Sequence, residues 1–153
     1  MVLGIDPGLA STGWAVVDNK KSLVAYGCIE TDKKEDFSSR LAKIHNQVRD
    51  LCRQYHIEVM AVESIFFAKN VKTAITVAQS LGAIKVAARN LKVAVFEYTP
   101  LQIKIAITGY GRATKEQVMI MVAGNFKDEQ IITNNHAADA AAAALTHIFT
   151  MRI

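Results

Sequence analysis

The sequence predicts an α/β fold built on a five-stranded mixed sheet flanked by helices, and three observations predict it. Three apolar segments separated by short polar turns open the chain, the pattern of an antiparallel meander of strands 1–3. Two later apolar strands, each followed by a helical segment, allow strands 4 and 5 to run parallel to strand 1 through right-handed crossovers. The composition, 51% hydrophobic and 21% charged, is that of a globular protein. A length of 153 residues suits one domain over 1–153 with a full core.

The elements follow in order. Val2 to Asp6 reads as strand 1, broken by Pro7 and Gly8. Gly13 to Asp18 reads as strand 2 and Leu23 to Thr31 as strand 3, with Asn19-Lys20-Lys21 as the turn between them. Thr31 to Ser39 is polar and reads as a loop. Leu41, Ile44, Val48, Leu51 and Tyr55 recur every three or four residues, which predicts a helix from Ser39 to His56. Glu58 to Val62 is a short apolar strand ending in Glu63. Asn70 is an N-cap candidate for a helix to Asn90. That helix is apolar on more than one face, so its second cover is expected to be another subunit. Gly82 within it suggests a close helix approach.

Val93 to Tyr98 is predicted as strand 5. After it, the cues conflict. Thr99-Pro100 is a helix start, whereas Leu101 to Ile107 alternates with the period of a strand; a helix is expected. Gly109 to Arg112 is a loop, and Thr114-x-x-Gln117 is a capping box that opens the next helix. Phe126 to Asn135 is a polar connection. Asn134 or Asn135 caps a last helix from His136 to Phe149.

The bulk numbers bound the function. A net charge of +4 is compatible with a nucleic-acid partner without requiring one. Cys28 and Cys52 lack a CxxC spacing and read as buried free thiols of an intracellular protein. The few apolar residues before Asp6-Pro7-Gly8 are not expected to act as a signal peptide, and Ala137 to Leu145 is too short to span a bilayer. A cytoplasmic protein with no membrane partner is expected.

Two acids each end an apolar strand: Asp6 after strand 1 and Glu63 after strand 4. An unpaired buried carboxylate is costly, so neither is core filler. Parallel pairing of these strands would make the two acids neighbours at one sheet edge, where open α/β sheets place their ligands. His136 and Asp139 stand three apart on the first turn of the last helix, which could lie over that edge. Taken singly, each has a plainer role as a turn, strand-end or helix-dipole residue. Taken together, crowded carboxylates call for a divalent cation, and oxygen ligands suit Mg²⁺ or Mn²⁺. Two such ions would suit phosphodiester cleavage, with Asp6 best placed to bridge them.

Four stretches now carry a resemblance: GIDPGLASTGW from Gly4, VESIFFAKN from Val62, FEYTPLQIKIAITGYGRATKEQV from Phe96 and HAADAAAAALTH from His136. In order and spacing they resemble the RuvC family of bacterial Holliday junction resolvases over almost the whole chain. The resemblance implies a ribonuclease-H-like fold, a homodimer, and Mg²⁺-dependent paired nicking of four-way junction DNA. Two Mg²⁺ per site are expected, with Mn²⁺ able to substitute. A branch-migration complex of RuvA and RuvB is the implied partner. By position, Asp6, Glu63 and Asp139 match the family's catalytic, metal-binding acids. Phe66 matches an aromatic that stacks on junction bases, and Lys104 and Lys115 match basic residues facing DNA near the scissile phosphate. His136 stands where many members carry a fourth acid, and is expected to join the site as a softer ligand. It would favour Mn²⁺ more than a four-acid site would, or hold one metal loosely. Tyr110 and Arg112, in the Gly-flanked loop, are further candidates for junction contact.

Other functions compete. A ribonuclease-H-fold nuclease acting on RNA or RNA–DNA would share the acids, but the phenylalanine loop and the two lysines favour the junction. A junction-binding module with a weakened site is opposed by the three remaining acids. A sugar-kinase or actin-like ATPase shares the Asp-x-Gly turn but normally needs two such domains.

Overall fold

The computed structural model describes residues 1–64, 71–127 and 131–151. The meander is β1 (Val2–Asp6), β2 (Ser11–Val17) and β3 (Leu23–Glu30). It is followed by α1 (Phe37–Gln54), β4 (Val59–Glu63), α2 (Val71–Asn90), β5 (Ala94–Tyr98), α3 (Pro100–Thr108), α4 (Lys115–Asn125) and α5 (Asn135–Thr150). The sheet order is β3-β2-β1-β4-β5. β1 is central, antiparallel to β2 and parallel to β4, and β4 is parallel to β5. The expected mixed sheet is found.

Local chemistry sets the element ends. α1 starts two residues earlier than the apolar periodicity indicates, because Asp36 accepts from the Ser39 amide as N-cap. β2 starts two residues earlier than expected, at Ser11. Thr12 is fully buried there, and its hydroxyl donates to the Gly8 carbonyl at 2.6 Å. The conflict after β5 resolves to helix: Thr99 and Gln102 close a capping box, Pro100 fills the first turn, and Gly109 ends α3 in the left-handed region. Asn134, rather than Asn135, caps α5.

Side chains of each strand alternate between two cores. Leu3, Ile5, Val16, Met60 and Val62 face the α1/α2 layer. Val2, Ala15, Val17 and Ala61 face α3, α4 and α5. The parity that puts Val2 and Ala61 on the α5 side carries Asp6 and Glu63 to that side as well. α5 is buried almost all round from Ala137 to Ile148, packed between the sheet and the pair α3/α4. This explains its alanine run: only small side chains let a helix lie that close on both sides.

Two glycines set the depth of α5. A Cβ on Gly4 would lie 1.9 Å from the Ala140 carbonyl oxygen, and one on Gly13 would lie 2.0 Å from that of His136. Gly82 is different. A Cβ there would meet nothing within 4 Å, so the close helix approach expected at Gly82 does not occur among the described residues. Val71, Ile75 and Val86 of α2 are exposed, so this helix does carry apolar residues that the chain itself leaves uncovered.

Of the two cysteines, Cys52 is buried, with its thiol pushed up to about 11 by burial, whereas Cys28 is only half-buried and meets Ser11 Oγ at 2.7 Å. His147 is buried under the Phe96 ring and shares a 2.8 Å hydrogen bond with the Tyr98 hydroxyl, a structural role. No helix among the described residues is long and apolar enough to cross a membrane.

Candidate active site

The parallel register sets Ile5 opposite Val62, so Asp6 and Glu63, one residue on, end neighbouring strands at the same sheet edge. Asp6 pairs across with Gly13, and Gly13 allows the first turn of α5 to press onto that point. His136 and Asp139 arrive on this turn. His136 Nδ1 lies 2.8 Å from Asp6 Oδ2, and Lys115 Nζ, from the first residue of α4, donates to Asp139 Oδ2 at 2.7 Å. All four predicted site residues of the acidic cluster are thus brought together.

Burial and crowding act on the carboxyl groups in one direction. Burial raises Asp6 above the ordinary carboxylate range; the His136 hydrogen bond opposes this and the charge of Asp139 adds to it. Glu63 is pushed up to about 7, first by burial and then by the charges of Asp6 and Asp139. Lys115 is held above its ordinary range, chiefly by its bond to Asp139. Three carboxyl groups with one ammonium between them form a site short of positive charge.

Two of the acids face a cleft of about 270 Å³, and Asp6 and His136 stand at the sheet edge outside its lining. Glu63, Asp139, Lys104 and Lys115 line it, and Ile103, Val118 and Ala142 form apolar walls. Lys104 projects from α3, half-buried. Both lysines expected to face a phosphate therefore line the same cleft as Glu63 and Asp139, and Lys115 is the one bonded to an acid. Arg112 and Tyr110 lie exposed in the α3–α4 connection and are not among the cleft's lining residues. Lys85 of α2, away from the cleft, is taken by Glu97 of β5 at 2.5 Å. Phe66, and the N-cap candidate Asn70, lie outside the described residues.

Among the described residues, no three His, Cys, Asp or Glu side chains converge tightly enough to hold one ion as they stand. Asp6 is turned to His136 and Asp139 to Lys115. The donor set nonetheless fits a hard divalent cation. It is mostly carboxylate oxygen, gathered at one edge, and its raised proton affinities mark the positive charge it lacks.

Sequence reasoning missed Gly4 and Gly13, which admit α5 to the site. The signal was present in the alanine run of α5, since a helix of small residues implies close contact with an equally small-faced partner.

Comparison with known proteins gives consistent likenesses. The family model described as "Crossover junction endodeoxyribonuclease RuvC" matches residues 2–147. A protein of that name from Finegoldia magna is 44% identical over 97% of this chain and 92% of its own length. Another from Halothermothrix orenii is 42% identical over 96% of this chain and 91% of its own. The solved structure of T. thermophilus RuvC in complex with Holliday junction substrate superposes with a TM-score of 0.91. It is 37% identical, covering 99% of this chain and 94% of that one.

Proposed function

The chain belongs to the RuvC family of crossover junction endodeoxyribonucleases, and from that premise we propose that it resolves four-way DNA junctions by paired, metal-dependent nicks. The observation that carries the reading is the cleft lined by Glu63, Asp139, Lys104 and Lys115, beside the strand end where Asp6 meets His136. Asp6, Glu63 and Asp139, with His136, would hold divalent metal, Mg²⁺ by the chemistry of hard oxygen ligands and two ions by the number of carboxylates. When bound, the metal supplies an activated water and neutralises charge on the leaving oxygen.

The chain's own groups do the rest. Lys104 and Lys115 fix a phosphate over the acids, and Lys115 exchanges its bond to Asp139 for the phosphate when metal and DNA arrive. His136 orients the Asp6 carboxylate through Nδ1. The apolar walls at Ile103, Val118 and Ala142 limit water around the phosphate. Two symmetric nicks need two such sites, so the working form is a homodimer, and the exposed apolar residues of α2 are its interface. Residues 1–153 act as one nuclease domain. Phe66, Tyr110 and Arg112 serve junction binding outside the cleft, and the RuvA–RuvB complex presents the junction in the cytoplasm.

One gel tests this. A synthetic four-way junction, a linear duplex and an RNA–DNA hybrid are offered with Mg²⁺, Mn²⁺ or EDTA. Symmetric, metal-dependent nicks in the junction alone are expected. Cleavage of the hybrid would support a ribonuclease instead, and binding without cleavage in either metal would support a junction-binding module.

Proton and metal compete for Glu63, which gives a second test. Its carboxyl in the folded chain titrates near 7, far above the ordinary range. A raised carboxyl favours the folded state fully below its unfolded value, and that benefit is lost as pH rises through about 7. In EDTA the unfolding midpoint should therefore fall as pH rises through that value on this group's account; Asp6, raised as well, acts in the same direction. Mg²⁺ needs the ionised form, so saturating Mg²⁺ should raise the midpoint more at about pH 8 than at about pH 6. Equal Mg²⁺ shifts at both pH values, read by scanning calorimetry, would contradict the assignment of Glu63 as a ligand.

A further inference from the structure

The turn that follows Asp6 is braced from outside the cleft. Three successive carbonyls in it each accept a hydrogen bond from a threonine. Thr12 Oγ1 donates to Gly8 O at 2.6 Å, Thr31 Oγ1 to Leu9 O at 2.6 Å, and the Thr31 amide to Ala10 O at 3.0 Å. Behind Thr31 stands Arg40, in the first part of α1, whose Nε donates to Thr31 Oγ1 at 2.8 Å.

The direction of this relay is fixed by chemistry. A guanidinium nitrogen can only donate, so the Thr31 oxygen accepts from Arg40, and its one proton is committed to Leu9 O. The cationic first donor strengthens the second bond by polarising it. The Leu9 side chain packs against the α1/α2 core, so the turn is held from below as well as from the side.

We propose that Arg40 and Thr31 are positioning residues for Asp6: through the Leu9 carbonyl they fix the Pro7–Ala10 turn and hold the Asp6 carboxylate where Glu63 and Asp139 meet it. Such a brace is needed because like charges gather at this point, and repulsion would draw Asp6 outward if its turn were free. The side-chain tie to Asp6 itself is His136, whose side chain is 50% exposed. The brace comes instead from the opposite side of the turn. It gives α1, which contributes nothing to the cleft lining, a part in catalysis. Neither residue touches the substrate. The proposal rests on the reading of Asp6 as a cleavage residue.

The test uses the full chain with Thr31→Val, Thr31→Ser and Arg40→Gln. Valine keeps the shape and the Thr31 amide but removes the hydroxyl; serine keeps the hydroxyl. Four quantities are read: kcat and KM on a synthetic four-way junction, junction affinity, and hydrogen exchange at the amide of residue 31. Thr31→Val and Arg40→Gln should lower kcat by about 10–100-fold, the range for groups that orient a metal ligand. KM and affinity should change by less than about threefold, Thr31→Ser should recover most of kcat, and the residue-31 amide should exchange faster in both damaged variants. Unchanged kcat in Thr31→Val, or a Thr31→Ser as slow as Thr31→Val, would overturn the proposal. If the wild-type chain cuts no junction, the functional reading fails by itself, and the exchange arm then decides the brace: an Arg40→Gln chain with unchanged Thr31 exchange refutes it.

Discussion

Asp6→Asn is expected to abolish junction cleavage while leaving the chain folded and able to bind DNA. Asparagine has nearly the shape of aspartate and can still accept at the atom facing His136. What it removes is the charge of a carboxylate proposed to hold divalent metal. Losing that ligand should reduce the cleavage rate by about 10³-fold or more, ~4 kcal/mol of transition-state stabilisation. The stability effect runs the other way. Ionised Asp6 is disfavoured by burial and by the charge of Asp139, so a neutral side chain relieves both. In EDTA at about pH 8, Asp6→Asn should melt no lower than the parent chain. Junction affinity without metal should be equal or higher, since a negative charge has left a surface that faces phosphates. Three measurements on one variant separate chemistry from folding: single-turnover cleavage, a melting curve in EDTA, and a mobility-shift titration. Cleavage within about tenfold of the parent would remove Asp6 from the centre of the site.

How much of this was legible in the sequence depended on how local each signal is. The acids were readable because an apolar strand that ends in a carboxylate is a contradiction visible within a single short segment. The meander and the parallel strands followed from element order. Helix α3 was harder, because Leu101 to Ile107 alternates like a strand. The capping box of Thr99 and Gln102, with Pro100 pre-set for the first turn, outweighed the alternation. The early start of β2 was missed because Thr12 looks polar, and its burial makes sense only once the Gly8 carbonyl is seen to satisfy it. The Arg40–Thr31–Leu9 relay was beyond sequence reading, since it joins three segments through hydrogen bonds that leave no periodic trace. Gly82 shows the converse. A helical glycine suggested close packing, and the space beside it is open among the described residues. Gly4 and Gly13, each inside a strand and unremarked, are the glycines that α5 presses upon.

Gly4→Ala carries the largest expected stability effect. The added Cβ would lie 1.9 Å from the Ala140 carbonyl oxygen, 2.8 Å from its carbon and 3.0 Å from the Ala144 Cβ. Two of these atoms are backbone of a buried helix, so no side-chain rotation relieves the clash. Either β1 or all of α5 must shift, and α5 is held by α3 and α4 on its far side. Overpacking a rigid core costs about 1–3 kcal/mol and at times more; with backbone against backbone, the upper end is expected. For a chain of this size that corresponds to a fall of roughly 10 °C in the unfolding midpoint. Gly124→Ala is the control, since a Cβ there meets nothing within 4 Å among the described residues. It replaces a helical glycine and should be neutral or stabilising by up to about 1 kcal/mol. The two variants also separate stability from function. Any shift of α5 that accommodates the added methyl group carries His136 and Asp139 away from Asp6, because all three depend on the depth at which that helix lies. Gly4→Ala should therefore cut junctions poorly even at temperatures where circular dichroism finds it folded, whereas Gly124→Ala should cut at the parental rate. A Gly4→Ala chain that melts and cuts like its parent would mean that α5 has slack at Ala140, and the site's geometry would then have to be maintained by the side chains alone.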